Sequence, residues 1–259
     1  LSTHMPGLDT TVPGMQLVKC ASKDAAGQYI SDMFVGLVNA KPEAVLGFAT
    51  GSSPLPTYRA MIAAYAEKKV DFSRCTSYNL DEYVGLPEGH PETYSAFMQA
   101  NLFDSINLPS ESVHVPAGCV PKGGEPLTPA EVDTLGDRYE ADLERDGPVD
   151  LWLLGVGHNG HIAFNEPGSA ADSRTRLVHL DAGTIEANKR FFDNDPSLVP
   201  TSAVSVGVGT ILASRRIVLV AGPEKAEAVA RMMDRSLGPD ASCPASFLQT
   251  HPDVVVVTY

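Results

Sequence analysis

The stretch that decides the fold is Leu151-Trp152-Leu153-Leu154-Gly155-Val156-Gly157-His158-Asn159-Gly160-His161-Ile162-Ala163-Phe164-Asn165-Glu166-Pro167. The apolar run at 149–154 has the length of a buried strand. It empties into Gly155, Gly157 and Gly160, so the chain that follows is a loop whose backbone approaches a ligand closely. Within a few residues that loop presents His158, Asn159, His161, Asn165 and Glu166. In open α/β folds ligands bind just beyond the carboxyl ends of the strands, where this loop lies. A strand that delivers an imidazole, a carboxylate and an amide into one crevice predicts a catalytic site.

Working outward, apolar runs at 44–49, 74–80, 203–206, 217–220 and 254–257 read as further strands, with short extended pieces at 12–20, 113–115 and 177–180. Helical periodicity marks 24–39, 55–67, 94–102, 129–145, 185–192 and 224–233, and Pro129 stands where a first helical turn favours proline. Residues 84–91 and 120–126 read as loops. Strands alternating with helices predict a single-domain α/β fold with a mostly parallel twisted sheet and helices on both faces, a modified Rossmann-like arrangement. Residues 12–259 are expected to form one catalytic domain. Residues 1–11, with Thr3-His4-Met5 among them, are expected to be a tag remnant or a disordered N-terminus.

The chain has 259 residues, enough for a sizeable core. Its 19 basic and 32 acidic residues give a formal charge of -13, which argues against nucleic acid or an anionic membrane as partner. No apolar run approaches the roughly 20 residues of a membrane span, and no basic-then-apolar leader opens the chain. The four cysteines, Cys20, Cys75, Cys119 and Cys243, are scattered, which fits reduced thiols in a cytoplasmic protein.

Thr50-Gly51-Ser52-Ser53-Pro54 sits between a strand and a helix. Hydroxyls and free N–H groups at a helix start hold phosphate well. An ordinary Ser-capped helix is the competing reading, and the Gly-Lys-Ser/Thr ending of a P-loop is missing. Lys225 and Arg190 are the cations placed to complete such a pocket, or else solvated surface charges. Asp81 ends a strand and faces the same crevice, as a turn cap or a general base. An Asn159 that accepts a hydrogen bond from one imidazole nitrogen fixes the tautomer of His161, whose ordinary proton affinity suits transfer near neutrality. Two rivals remain for this loop. Gly155-x-Gly157-x-x-Gly160, with Asp181 downstream, copies a dinucleotide fingerprint, but that needs a helix opening at the third glycine. His158, His161 and Glu166 as metal ligands match no zinc spacing.

Several segments together resemble the glucosamine-6-phosphate deaminases. They are Thr50 to Pro54, Tyr78-Asn79-Leu80-Asp81-Glu82-Tyr83-Val84-Gly85-Leu86, Gly155 through Pro167, Ser173-Arg174-Thr175-Arg176, Arg190-Phe191-Phe192-Asp193-Asn194-Asp195 and Val206-Gly207-Val208-Gly209-Thr210. The resemblance implies conversion of an amino sugar phosphate to fructose 6-phosphate and ammonia by ring opening, C2/C1 proton transfer and imine hydrolysis, with no metal and no cofactor. By position it implies that Asp81 is the enolising base and His161 the ring-opening base. Glu166 is then the charged partner of His161, and Asn159 has an orienting role. Thr50, Gly51, Ser52, Ser53, Gly155, Arg190 and Lys225 would line the substrate pocket. Many relatives have Asp where Asn159 stands, and allosteric ones carry a basic residue at the place of Val178. Ser169 and Arg176 match the effector site. Even so, Val178 and the chain end at Tyr259 argue against activation by N-acetylglucosamine 6-phosphate and against a hexamer, so a monomer or small homo-oligomer is expected. The 6-phosphogluconolactonases share the Gly-His segment but lack Phe-Asn-Glu-Pro and typically have Arg at the place of Tyr83. A galactosamine-6-phosphate deaminase or isomerase would leave much the same residues in place, and a non-catalytic sugar-phosphate sensor could be built on the same fold.

Overall fold

Strands buried on both faces read as continuous apolar runs, because helices cover the two sides. The computed structural model describes residues 11–12, 14–120 and 124–259. Its elements in chain order are β1 (Thr11–Val12), β2 (Met15–Lys19), α1 (Lys23–Ala40), β3 (Val45–Phe48), α2 (Leu55–Ala66), β4 (Thr76–Asn79), β5 (Asp81–Tyr83), α3 (Tyr94–Asn101), β6 (Val113–His114) and α4 (Pro129–Asp146). There follow β7 (Leu151–Leu154), β8 (Arg176–His179), α5 (Ala182–Asn188), β9 (Ser202–Ser205), α6 (Val208–Leu212), β10 (Ile217–Ala221), α7 (Ala226–Met233) and β11 (Val254–Thr258). The expectation of a tag remnant or disorder at 1–11 falls almost wholly outside the described residues, as do positions 121–123 of the loop expected at 120–126.

Eight strands form the main sheet in the order β1-β2-β11-β10-β7-β3-β4-β6. Only β1 pairs antiparallel, and β2, β11, β10, β7, β3, β4 and β6 run parallel. Alternate side chains of each strand feed different cores. Leu151 and Leu153 of β7, with Val218 and Val220 of β10, pack against Ile30 and Phe34 of α1, Tyr58 and Met61 of α2, and Met98 of α3. Trp152, Leu154, Ile217 and Leu219 face the other way, onto Tyr139 and Leu143 of α4, Ile211 of α6 and Met232 and Met233 of α7. A Cβ on Gly47 would lie 1.9 Å from the Trp152 ring, so the indole fits only because β3 carries a glycine opposite it.

The helices start where their caps say. Ser22 accepts a hydrogen bond from the Ala25 N–H at the head of α1. Thr128 and Glu131 form a reciprocal capping box ahead of Pro129 in α4. Within α4 the buried Glu140 accepts from the Thr175 N–H (2.7 Å), the Thr175 hydroxyl (2.5 Å) and the Thr210 hydroxyl (2.6 Å), and pairs with Arg174 (2.8 Å). That carboxylate joins α4 to the chain before β8 and to α6.

The mostly parallel sheet with helices on both faces stands as expected, with one addition to it. The runs expected at 177–180 and 203–206 do not enter the parallel sheet. With β5 they form a separate three-stranded antiparallel layer, in the order β5-β9-β8. It has its own small core of Tyr83, Leu86, Phe164, Val178, Leu180, Phe192 and Val199. The strand expected at 74–80 breaks at Leu80, between β4 of the large sheet and β5 of the small one. The helix expected at 185–192 is α5, begun three residues earlier and finished by a 3-10 turn at Lys189–Phe191.

Candidate active site

The carboxyl ends of β3, β4 and β7 open into a cavity of about 360 Å³, roofed by α5 and the 3-10 turn after it. Thr50, Gly51, Ser52, Ser53, Asp81, Gly155, Asn159, His161, Arg190 and Lys225 all line it. Glu166 stands behind His161, outside the lining.

At one end, the chain leaves β3 through Gly51, at a φ of +93° that favours glycine. α2 begins after Pro54, and no side chain caps it. The Ser-capped-helix reading is therefore not realised, and the first turn of α2 keeps unpaired N–H groups, the donors that anions seek. Lys225, in a 3-10 turn after β10, is half-buried. Burial lowers its proton affinity, as does the Arg190 charge, while Glu224 acts in the opposite sense. Arg190 lies over the Phe191 ring, 4.7 Å from its centroid.

The same wall carries Asp81 and His161, the two residues expected to transfer protons. Asp81 is 7% exposed, and no hydrogen bond or ion pair reaches its carboxylate from the described residues. Burial, and after it the charge of Glu82, push its carboxyl up to about 8. Glu82 points to the opposite side of β5. It accepts from the N–H groups of Tyr83 (2.8 Å), Tyr94 and Ser95 (2.9 Å each), fixing β5 to the start of α3. Tyr83, two residues beyond Asp81 on the same face, also lines the cavity.

His161 lies across Gly157. A Cβ there would come within 2.3 Å of the imidazole, so only glycine admits the ring. The loop closes through Gly157 N–H to His161 O (2.9 Å), and Ala163 is held at a φ of +50°. Asn165, fully buried, donates to Ile162 O (3.0 Å) and Val206 O (2.8 Å) and accepts from Arg176 (2.9 Å). Nδ1 of His161 is 3.3 Å from Oε2 of Glu166. Burial alone would raise the Glu166 carboxyl. The His161 hydrogen bond and charge, with hydrogen bonds from Thr184 and Asn159, outweigh it and hold the group at about 2.

The arrangement expected of Asn159 is different. Its Oδ1 accepts from the His161 backbone N–H (3.2 Å), and its Nδ2 donates to Glu166 Oε2 (2.7 Å). The two-residue spacing favours this local turn, which carries the amide past the ring to the carboxylate. Glu166, not Asn159, therefore sets the Nδ1 side of His161. Of the two rivals, the dinucleotide fingerprint fails because no helix opens at Gly160. No group of three or more His, Cys, Asp or Glu side chains among the described residues is placed to hold a metal.

Sequence reasoning missed Thr184 and Asn188, both in the cavity wall. Thr184 Oγ1 donates to Glu166 Oε1 (2.5 Å), and Asn188 Nδ2 donates to Tyr83 OH (2.9 Å). Their one-turn spacing on α5 was the only available signal, and it shows only once the helix start at Ala182 is known.

A parallel sheet whose carboxyl edge opens into a cavity lined by a Gly-Ser turn, two cations, a buried aspartate and a histidine backed by a glutamate has the frame of an α/β enzyme. The chain belongs to the family described as glucosamine-6-phosphate isomerases/6-phosphogluconolactonase, whose sequence model matches residues 19–257. It is 46% identical over 242 residues to glucosamine-6-phosphate deaminase 1 of Giardia intestinalis, covering 93% of this chain and 86% of that one. It is 44% identical to glucosamine-6-phosphate deaminase 2 of Bacillus subtilis, covering 85% of each. The solved structure of a monomeric glucosamine-6-phosphate deaminase superposes with a TM-score of 0.86 at 34% identity, covering 93% of this chain and 96% of that one. A 6-phosphogluconolactonase from Thermotoga maritima, at 19% identity and a TM-score of 0.70, shares the fold, covering 94% of this chain and 98% of that one.

Proposed function

We propose that the chain is a glucosamine-6-phosphate deaminase, converting glucosamine 6-phosphate and water to fructose 6-phosphate and ammonia. The observation that carries this reading is one cavity whose wall brings Asp81 and His161 together with the Thr50–Ser53 turn, Arg190 and Lys225. In this reading the phosphate sits against Thr50–Ser53 with Lys225 and Arg190 as counter-charges. His161, braced by Glu166, takes the proton that opens the pyranose ring. Asp81 then removes the C2 proton and returns it to C1, and water hydrolyses the resulting imine. A base whose carboxyl is raised toward neutrality by burial binds its proton firmly enough for carbon acid chemistry.

The relatives' deaminase names favour this reading over the lactonase. So does Tyr83, packed between Tyr94, Phe164 and Phe192 where lactonases typically have Arg. Among the described residues no helix is long and apolar enough to cross a membrane. We infer a cytoplasmic enzyme acting as a monomer or small homo-oligomer, in keeping with the monomeric relative. The test is ammonia release from glucosamine 6-phosphate, with galactosamine 6-phosphate and 6-phosphogluconolactone run alongside. Turnover of the lactone alone would overturn the proposal.

A further inference from the structure

Glu166 has two oxygens, and two different parts of the chain hold them. Oε2 belongs to its own loop, through Asn159 Nδ2 (2.7 Å) and His161 Nδ1 (3.3 Å). Oε1 belongs to α5, through the Thr184 hydroxyl (2.5 Å) and the Asp181 N–H (3.4 Å) that precedes the helix. Thr184 is buried, 6% exposed. One turn further along α5, on the same face, Asn188 Nδ2 donates to the hydroxyl of Tyr83, which shares a strand face with Asp81. The same short helix thus fastens to the neighbours of both proton-transfer centres, and two residues beyond it stands Arg190 at the anion end of the cavity.

We propose that α5 is a positioning element for both centres: Thr184 fixes the carboxylate that orients His161, and Asn188 fixes the tyrosine beside Asp81. The inference rests on the deaminase reading above. A carboxylate held from both oxygens has one orientation, and His161 inherits it through Nδ1. With the Thr184 hydroxyl gone, Oε1 keeps only the long contact from the Asp181 N–H (3.4 Å), so Glu166 can swing about its loop contacts and the imidazole follows. Displacements of this kind act on the chemical step rather than on binding of a distant phosphate.

The experiment compares Thr184→Val, Thr184→Ser and Asn188→Ala with the unaltered protein, measuring kcat and KM for ammonia release from glucosamine 6-phosphate together with Tm. Thr184→Val should lower kcat about tenfold or more while KM stays within about twofold, a split that a loosened fold would not give. Thr184→Ser, which restores the hydroxyl, should recover most of kcat. Thr184→Ala, with its smaller side chain, carries the same test if valine packs poorly. Asn188→Ala should lower kcat severalfold, also at nearly constant KM. An active parent with a Thr184→Val variant that keeps more than half of kcat, or a serine variant as impaired as valine, overturns the inference and leaves the deaminase reading standing. A parent inactive on amino sugar phosphates overturns both.

Discussion

Replacing Asp81 by Asn should separate chemistry from stability, because the two move in opposite directions. The carboxyl is nearly sealed from solvent and sits beside Glu82 with no donor among the described residues, and burial, then the Glu82 charge, push it from the ordinary 3.8 up to about 8. A folded-state value above the unfolded one means a contribution to stability that is complete below about pH 4 and is lost as pH rises through about 8. At about 1.36 kcal/mol per unit, the full loss is about 6 kcal/mol. An asparagine never ionises and escapes it, but buries an unpaired amide at a cost of about 1–3 kcal/mol. Asp81→Asn should therefore be about 3–5 kcal/mol more stable than the parent at pH 8–9, with that advantage gone near pH 4. Turnover should fall on the order of a hundredfold or more, since the base is removed. Urea unfolding at pH 5, 7 and 9, beside ammonia-release assays, measures both. A variant that keeps most of its rate refutes the base assignment. A stability gap that does not widen between pH 5 and 9 refutes the burial argument.

Other perturbations test other parts of the site. Lys225→Ala should chiefly raise KM, because a phosphate contact made equally in ground and transition states is uniform binding; a fall in kcat alone would place the lysine elsewhere. Gly157→Ala pushes a Cβ to within 2.3 Å of the imidazole, so kcat should drop at least about tenfold with little change in Tm, checked by steady-state kinetics and calorimetry. Glu140→Ala strips a buried carboxylate from Thr175, Thr210 and Arg174 and should cost about 3–5 kcal/mol, read as a Tm lower by roughly 10 °C. Incubation with EDTA should leave the rate of ammonia release unchanged; a loss reversed by a divalent cation would contradict the metal-free reading.

The parallel sheet was legible in the sequence because its central strands are short, continuous apolar runs set between segments of helical periodicity. β7, β10 and β11 are the clearest cases. That the Thr50–Ser53 turn and the His161–Glu166 loop lie at the carboxyl edge of the sheet was legible for a related reason, since each follows such a strand directly. The small antiparallel layer was hidden. β5 has three residues, two of them acidic, and its partner β9 lies more than a hundred positions away. Nothing local distinguishes such a strand from the tail of β4. The side chains on α5 were hidden too, because Thr184 and Asn188 gain meaning only from Glu166 and Tyr83, which a linear reading does not bring near them. The role of Asn159 was half legible: its closeness to His161 is evident, but whether the amide meets the ring or the carboxylate depends on a turn that only coordinates reveal.

The break at Leu80 mounts the aspartate on a seam between the large sheet and the small antiparallel layer. In the proposed reading the ester is held at the ends of β3 and β10, whereas α5 and Tyr83 of the small layer supply much of the remaining wall. On that reading a shift in the small layer would alter which epimer is admitted while the grip on the common tail stays intact. One scaffold can in this way be retuned from one six-carbon phosphate to another without being rebuilt.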